Sequence, residues 1–144
     1  MGRSAGRGRK KLPGAAQSFR KIPNGVPGVE TRLPLLFSEG VGKGRISLQQ
    51  FVALSATNAA KIYGLHPRKG TIAVGADADI VIFRDTETLT VAPQQVLHRH
   101  KVTPYAGRTL HGVVDSTYVR GRRVWHRGEL LEKPTGRTFA RETR

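Results

Sequence analysis

The spacing of apolar residues predicts two helices in the first half of the chain. Leu33, Leu36 and Phe37 recur at helical intervals, which is the pattern of a helix that buries one face. Pro34 falls in the first turn of this helix, where a missing backbone N–H does no harm. Three closely spaced glycines are expected to end the helix: Gly40, Gly42 and Gly44.

The second predicted helix lies in the stretch ISLQQFVALSATNAAKIYGL, residues 46–65. Ser47 is a favourable N-cap, and Gln50 three residues later completes a capping box. Gly64 stands where a residue in the left-handed conformation ends a helix. Four apolar residues can share one buried face of this helix: Phe51, Leu54, Ala59 and Ile62.

The apolar period then changes, and the second half of the chain predicts strands. Thr71–Val74 predicts a short strand, Ile80–Phe83 a buried strand and Thr88–Val91 an edge strand. Residues 110–130 alternate well enough for two strands, with Arg120-Gly121 at the turn of a hairpin. Two helices followed by strands, with no parallel βαβ repeat, indicate the end of a larger fold.

Composition excludes several kinds of site. The chain has 144 residues, a net charge of +15 and no cysteine. Without cysteine there is no disulfide framework, no thiolate zinc site and no cysteine nucleophile, which is consistent with a cytoplasmic location. No apolar run approaches the ~20 residues needed to span a bilayer, so we expect no membrane contact.

The positive charge is concentrated at the two ends of the chain. Residues 1–21 carry seven Lys/Arg and no acidic residue, whereas residues 120–144 carry eight Lys/Arg and three acidic residues. We expect residues 1–18 and 131–144 to be disordered. A basic nucleic-acid-binding protein is the alternative interpretation. It is disfavoured because such surfaces interleave basic with aromatic residues, and residues 1–18 contain no aromatic residue.

Asp77 and Asp79 lie beside an aliphatic strand in KGTIAVGADADIVIF, residues 69–83. Paired carboxylates can act as a catalytic acid and base. Short acidic side chains also accept hydrogen bonds from backbone N–H groups in turns, and Gly75 allows the positive φ of such a turn. We favour the structural role, in which both aspartates tighten the turn.

His98 and His100 form an H-x-H pair, and alternate residues of a strand share a face as a metal-binding pair would. No acidic residue stands near them in the sequence, so a solvated strand or loop is favoured. The other three histidines are isolated and are expected at the surface: His66, His111 and His126.

The lysines and serines have structural explanations. Lys61 falls near a helix end, where a cation suits the helix dipole, and Lys69 precedes a turn. Ser47 is explained by capping. Ser38 and Ser55 lack the G-x-S-x-G surroundings of a nucleophilic serine.

Two motifs are specific in this order and spacing: PNGVPGVETRLPLL at residues 23–36, and NAAKIYGLHPRKGTIAVGADADIVI at residues 58–82. Together they resemble the C-terminal part of the dihydropyrimidinase and D-hydantoinase family of cyclic amidohydrolases. The likeness covers residues 19–83 and extends to about residue 130. The segment HRHKVTPYAGRTLHGVVDSTYVRG, residues 98–121, is similar to allantoinases, a sister family.

The resemblance implies an α/β fold class, a TIM-like barrel, flanked by a small β-sandwich. Residues 19–64 would hold the last barrel helices, and residues 65–130 would hold the C-terminal strands of the sandwich. The implied enzyme is a homotetrameric hydrolase of ring amide bonds in dihydropyrimidines or hydantoins. An allantoinase-type enzyme is the alternative.

The family binds two zinc ions through histidines, a carboxylated lysine and an aspartate, all upstream of the PNG loop. The resemblance therefore implies two zinc ions in the intact enzyme, and we expect none to bind this chain. No catalytic or metal-binding residue is assigned. The chain is expected to be a C-terminal fragment, inactive alone, whose second helix leaves its apolar face partly exposed.

Asn24 is the residue to which the resemblance assigns substrate binding, through its backbone in the PNG loop. Loops at the carboxyl face of a barrel carry function, and an Asn-Gly turn leaves main-chain groups exposed. The alternative is that Asn24 supplies only a left-handed turn residue.

Overall fold

A computed structural model describes residues 27–99, 101–133 and 136–137 of the chain. The first part of this structure is helical. Wider π-helical turns extend the first helix over Phe37–Val41 and join the other two over Ala53–Thr57. The α-helices are α1 (Arg32–Leu36), α2 (Leu48–Val52) and α3 (Asn58–Ile62).

A four-stranded antiparallel sheet follows the helices, with its strands in sequence order. A short 3-10 helix, Pro93–Gln95, lies in the long connection between the first two strands. The strands are β1 (Ile80–Thr90), β2 (Thr109–Val119), β3 (Arg122–His126) and β4 (Glu129–Leu130).

The predicted helix ends are confirmed in most details. Ser47 Oγ accepts the backbone N–H of Gln50 at 3.2 Å, and Gln50 Oε1 accepts the N–H of Ser47 at 2.8 Å. Gly64 adopts a φ of +68° after α3. Gly40 is the exception, because it is buried inside the wide turn after α1, where a Cβ would lie 2.8 Å from Ile46 Cδ1.

The buried face predicted for residues 46–65 is only partly correct. Phe51 is buried, but Leu54 and Ile62 are 54% and 77% exposed. Ala60 points inward in place of Ala59. A π-helical turn contains one residue more than an α-helical turn, so it rotates the residues that follow it around the helix axis. The exposure of Leu54 and Ile62 agrees with the partly exposed face that was expected.

Three of the strand predictions need correction. The strands predicted at Ile80–Phe83 and Thr88–Val91 belong to the single long strand β1. Its Val81 and Ile82 are exposed rather than buried. Thr71–Val74 forms bends and turns, and in the described sheet no strand pairs with it. Apolar composition alone does not make a strand, because the backbone needs a partner.

The hairpin predicted at Arg120-Gly121 is confirmed. These residues have φ values of +48° and +79°, as in the turns that match the twist of paired strands. A second Arg-Gly pair, Arg127-Gly128, has φ values of +42° and +100° and leads into β4. The repeated Arg-Gly signal could have revealed this second turn, which we did not predict.

Three phenylalanine rings join the helices to the sheet. The ring centroids of Phe37 and Phe51 lie 5.6 Å apart, and Phe83 lies 5.1 Å from Phe37 and 5.8 Å from Phe51. The cluster spans the domain boundary expected between residues 64 and 65, which stays a prediction. The segments predicted as disordered, residues 1–18 and most of 131–144, lie outside the described residues.

Gly112 in β2 lies against these rings. It adopts a φ of +90°, and a Cβ there would collide with the Phe83 ring and lie 2.9 Å from Phe37 Cδ1. The ladder between β1 and β2 is irregular at this point, because Arg84 pairs with Val113 while Thr88 pairs with His111. Because Gly112 has no side chain, the aromatic rings fit against β2 at this position.

Within the part of the chain that the structure describes, no helix combines the length and apolar content required to cross a bilayer.

Replacing Gly112 by alanine should destabilise the fold by about 2–4 kcal/mol, because overpacking adds to the strain of a positive φ. Gly128→Ala is the matched control. Gly128 also has a positive φ, but no neighbouring atom lies within 4 Å of the position that a Cβ would take there, so only strain is added. Urea unfolding of both variants measures the difference. Equal losses of stability would show that the contact with the rings is unimportant.

Candidate functional site

Two of the candidate residues lie outside the described residues. Asn24, assigned to substrate binding, precedes the start of the described chain at Pro27, and His100 falls in the gap between residues 99 and 101. The substrate role of Asn24 and the metal role of the H-x-H pair therefore stay predictions.

Asp77 and Asp79 lie in a cluster of basic groups just before β1. Arg68 Nε donates to Asp77 Oδ2 at 3.0 Å, and Lys69 Nζ lies 2.9 Å from the same oxygen. Lys69 also donates to Asp79 Oδ2, whose partner oxygen Oδ1 accepts the backbone N–H of Arg120 at 2.8 Å. Asp79 therefore ties the loop before β1 to the β2–β3 turn, whereas Asp77 is bonded to basic side chains within the loop.

The charges of this cluster oppose an acid–base role near neutral pH. The hydrogen bond from Lys69 lowers the pKa of Asp77. Desolvation raises the pKa of Asp79, but the bonds from Lys69 and Arg120 outweigh it and the net shift is downward. The hydrogen bond to Asp79 raises the pKa of Lys69. A structural role fits. The expected bond to a backbone N–H group is present for Asp79, which accepts the N–H of Arg120, and the other partners of the two carboxylates are the side chains of Arg68 and Lys69.

The histidines fall into different environments. His98 bonds through Nε2 to the carbonyl oxygen of Val102 at 2.8 Å, so its ring belongs to a loop. His66 and His111 are exposed, as predicted. His126 was also expected at the surface, but it is only partly exposed because its Nδ1 lies 3.0 Å from Ser116 Oγ.

The remaining candidates agree with their structural explanations. Lys61 lies exposed in the last turn of α3. Ser55 Oγ donates to the carbonyl oxygen of Phe51 at 2.8 Å, one helical turn back. Ser38 is buried in the wide turn after α1.

The sequence did not reveal a polar network centred on Asp115. Arg127 Nε donates to Asp115 Oδ1 at 2.9 Å, and Arg127 Nη2 donates to Glu87 Oε1 at 2.9 Å. Ser116 Oγ donates to Asp115 Oδ2 at 2.9 Å. The bond from Ser116, followed by that from Arg127, lowers the pKa of Asp115 despite desolvation. The network connects β1, β2 and the β3–β4 turn.

Ser116, His126 and Asp115 include the residue types of a catalytic triad, but their bonding differs from one. The serine proton goes to the ionised Asp115, so the His126 Nδ1 at 3.0 Å must donate its own proton to Ser116 Oγ. A histidine that donates to the serine cannot act as its base. Ser116 is also only 3% exposed. These three residues therefore have a structural role in the sheet.

Glu30 makes a second connection that the sequence did not reveal. Its Oε1 accepts the backbone N–H of Leu97 at 2.8 Å and that of His98 at 3.1 Å, and its Oε2 lies 3.0 Å from the Leu97 nitrogen. One carboxylate thus holds two consecutive N–H groups that are 67 and 68 residues away in sequence.

An open groove of about 700 Å³ lies beside this connection. Its walls are largely apolar and include Val91, Val96 and Trp125. Its charged lining residues, Glu30 and Arg127, already have partners in the bonds described above. The groove is therefore a packing surface with few free polar groups to orient a small substrate.

The described residues do not by themselves fit a metal centre. Among them, no three His, Asp or Glu side chains are placed to hold one ion. The carboxylates of Asp77, Asp79 and Asp115 are bonded to cationic side chains instead.

Comparison with known proteins agrees with the motifs. A sequence model of the amidohydrolase family matches residues 39–125. The chain belongs to the amidohydrolase family. It is 42% identical over 122 residues to dihydropyrimidinase 1 of Caenorhabditis elegans, covering 85% of this chain and 25% of that protein. It is 46% identical over 122 residues to D-hydantoinase of Ralstonia pickettii, covering 84% and 26%.

The fold agrees with the same relatives. A solved D-hydantoinase structure superposes with a TM-score of 0.77 at 42% identity, over 83% of this chain and 26% of that structure. The resemblance to part of the dihydropyrimidinase and D-hydantoinase family, stated from the sequence motifs, is therefore confirmed. The chain spans about a quarter of the length of these relatives.

Asp79→Ala should lower the free energy of unfolding at neutral pH by about 1–2 kcal/mol, since the Arg120 N–H and Lys69 lose a charged acceptor. Asp85→Ala, at an exposed position of β1, is the control and should change stability little.

The loss should depend on pH in a defined direction. Carboxylates with lowered pKa values stabilise the fold above their unfolded pKa of about 4, and the contribution is lost as the pH falls through the lowered folded pKa. The difference between wild type and Asp79→Ala should therefore shrink towards pH 2. Chemical unfolding at a series of pH values tests this, and a difference independent of pH would contradict the ion-pair account.

Proposed function

We propose that this chain is part of a hydrolase that opens ring amides, of the dihydropyrimidinase and hydantoinase type. The observation that carries the proposal is the agreement of sequence and fold with D-hydantoinase, 42% identity at a TM-score of 0.77. In the reaction, water adds across a ring C–N amide bond and leaves a carboxylate and an open-chain nitrogen.

Within this enzyme we assign α1–α3 to the last helices of a TIM-like barrel and β1–β4 to a C-terminal β-sandwich. The helices support this assignment. The apolar side chains of Leu54 and Ile62 are exposed to solvent, and an exposed apolar face marks a surface that packs against a partner. The sheet also supports the assignment, because its strands are antiparallel and it lines a groove with largely apolar walls, as a sheet that packs in a sandwich would.

We propose that the two zinc ions of the family are bound by residues in the part of the relatives that this chain does not span. The chain would contribute ring recognition through the backbone of Asn24, together with the fold that carries its loop. Without those zinc ligands, this chain alone would not hydrolyse a ring amide. By analogy with the family, we also propose that the intact enzyme is a homotetramer and that it lies in the cytoplasm.

The allantoinase-type alternative has weaker support. It rests on the likeness of residues 98–121, whereas the matched relatives are named dihydropyrimidinase and D-hydantoinase. Within the described part of the chain, no observation favours nucleic-acid binding.

The purified chain supplied with zinc should not hydrolyse dihydrouracil, hydantoin or allantoin. A chimera tests the positive side of the proposal: the aligned segment of Ralstonia pickettii D-hydantoinase is replaced by this chain. We expect the chimera to open dihydrouracil or hydantoin, measured as loss of ring absorbance.

Two results would contradict the proposal. Turnover by the chain alone that disappears with a chelator would show that it holds its own metal centre. A folded, zinc-loaded chimera that opens neither ring would show that the chain does not support this chemistry.

Substitutions of Asn24 in the chimera test its backbone role. Asn24→Ala should lower kcat/KM roughly fivefold to tenfold, the effect of about 1 kcal/mol of strain in a left-handed turn. Asn24→Gly should be milder, because glycine tolerates positive φ. Asp77→Asn, corrected for folded fraction, should leave kcat/KM unchanged. If Asp77→Asn removed activity and both Asn24 variants kept it, the assigned roles would be reversed.

A further inference from the structure

The β3–β4 turn is strained and leads into a very short strand. Its residues Arg127 and Gly128 have φ values of +42° and +100°. A residue with a side chain is strained in this left-handed region, so Arg127 carries a cost that Gly128 avoids. The strand that follows, β4, has two residues and pairs Leu130 with Trp125. Because two residues form few ladder bonds, another contact must hold the turn in place.

Arg127 supplies that contact. Its backbone N–H donates to the carbonyl oxygen of Asp115 at 2.9 Å. Its side chain donates through Nε to Asp115 Oδ1 and through Nη2 to Glu87 Oε1, each at 2.9 Å. Hydrogen bonds between ionised groups are stronger than those between neutral groups. We call these three side chains the Arg127 clamp, and the clamp fixes the strained turn to β1 and β2.

Asp115 is the inner carboxylate of the clamp and is only 7% exposed. Arg84 Nε of β1 lies 3.5 Å from its Oδ1, and His126 Nδ1 of β3 lies 3.9 Å from its Oδ2. The neighbouring Ser116 Oγ donates to the same Oδ2 at 2.9 Å. When acid neutralises the carboxylates of the clamp, the charged groups left facing one another are the two arginines and a protonated histidine. Neutralisation therefore replaces attraction by repulsion at this point.

The turn forms one wall of the apolar groove. Arg127 and Gly128 line this groove together with Trp125. Trp125 is the one tryptophan of the chain, and it is partly exposed. Movement of the turn away from the sheet would widen the groove and uncover this ring.

We propose that residues 127–130, the β3–β4 turn with β4, form an acid-released strap over the groove. The ionised carboxylates of the Arg127 clamp hold the strap closed. Their protonation frees Arg127, so that the strained turn relaxes and β4 leaves the edge of the sheet. The rest of the sheet stays paired, so the groove opens without unfolding. This inference does not depend on the proposed function.

The direction of the pH dependence follows from Asp115. The bond from Ser116, followed by that from Arg127, lowers the pKa of Asp115. The contribution of the clamp is therefore present above the unfolded carboxyl pKa of about 4 and is lost as the pH falls through the lowered folded pKa. The strap should be closed at neutral pH and open in acid, below about pH 4.

Hydrogen exchange and tryptophan quenching test the strap in the 144-residue chain. The Leu131 N–H donates to the carbonyl oxygen of Val124 at 2.9 Å, so its protection reports the attachment of β4. The buried Val91 donates its N–H to the carbonyl oxygen of Arg108 at 2.9 Å and reports the whole fold. Acrylamide quenching of Trp125 reports the groove. On acidification, protection at Leu131 should fall and quenching should rise before protection at Val91 changes.

Variants of Arg127 should open the strap at pH 7. Arg127→Ala keeps the strain and removes the clamp, so protection at Leu131 should fall at least about tenfold, the effect of losing hydrogen bonds between charged groups. Arg127→Gly removes the strain as well, so its loss should be smaller. Arg120→Ala is the matched control in the other Arg-Gly turn, where the backbone N–H of residue 120 can still bond to Asp79. It should leave protection at Leu131 unchanged.

The outcomes separate a local strap from general unfolding. Loss of protection at Leu131 and Val91 together in acid would overturn the strap. Wild-type protection at Leu131 in Arg127→Ala would overturn the clamp. If Arg127→Ala also lowers protection at Val91, Glu87→Gln decides, because it leaves the bonds to Asp115 in place: a loss at Leu131 alone supports the proposal, and wild-type protection overturns it.

Two further results would overturn parts of the proposal. Equal losses at Leu131 in Arg127→Ala and Arg127→Gly would show that strain does not drive the opening. Exchange at Leu131 that rises without greater quenching of Trp125 would show that the strap does not cover the groove.

Discussion

The cluster of three phenylalanine rings, two of which pack against Gly112, is the constraint on which the rest of the structure depends. Phe37 and Phe51 come from the helical part, and Phe83 comes from β1, so one cluster fixes the helices on the sheet. Aromatic pairs at these separations add to the stability gained by burial. The cluster needs a position in β2 without a side chain, and the irregular ladder beside Gly112 is the local consequence.

The few acidic residues of this basic chain serve mainly as anchors for backbone turns. Asp79 holds the N–H of Arg120 at one hairpin turn, and Asp115 holds Arg127 at the other. Glu30 does the same for the loop at Leu97. Bonds from cationic and N–H groups to Asp79, and from Ser116 and Arg127 to Asp115, lower the pKa of both carboxyls, which is the opposite of what a general acid requires. In the described part of the chain, the carboxylates of Asp77, Asp79 and Asp115 therefore form structural ion pairs.

Local features were predictable from sequence, and contacts between distant residues were not. The Ser47 cap and the Arg120-Gly121 turn depend on residues within a few positions, so propensity sufficed. The bond from the Leu97 N–H to Glu30 joins residues 67 positions apart, and no local pattern indicates such a partner. The strand prediction at Thr71–Val74 was wrong for a related reason, since β-propensity is decided by pairing and burial. The motifs identified the family because they carry specific residues, but Asn24 lies outside the described chain and its role stays a prediction.

The recognisable GADAD motif shows why family membership and chemistry must be separated in this chain. Its aspartates bind Lys69, Arg68 and the Arg120 N–H, so they preserve the junction between the loop and the β2–β3 turn. These bonds lie within the loop and between the loop and the β2–β3 turn, and none of them involves a substrate. Such a motif therefore indicates the fold strongly and the substrate weakly.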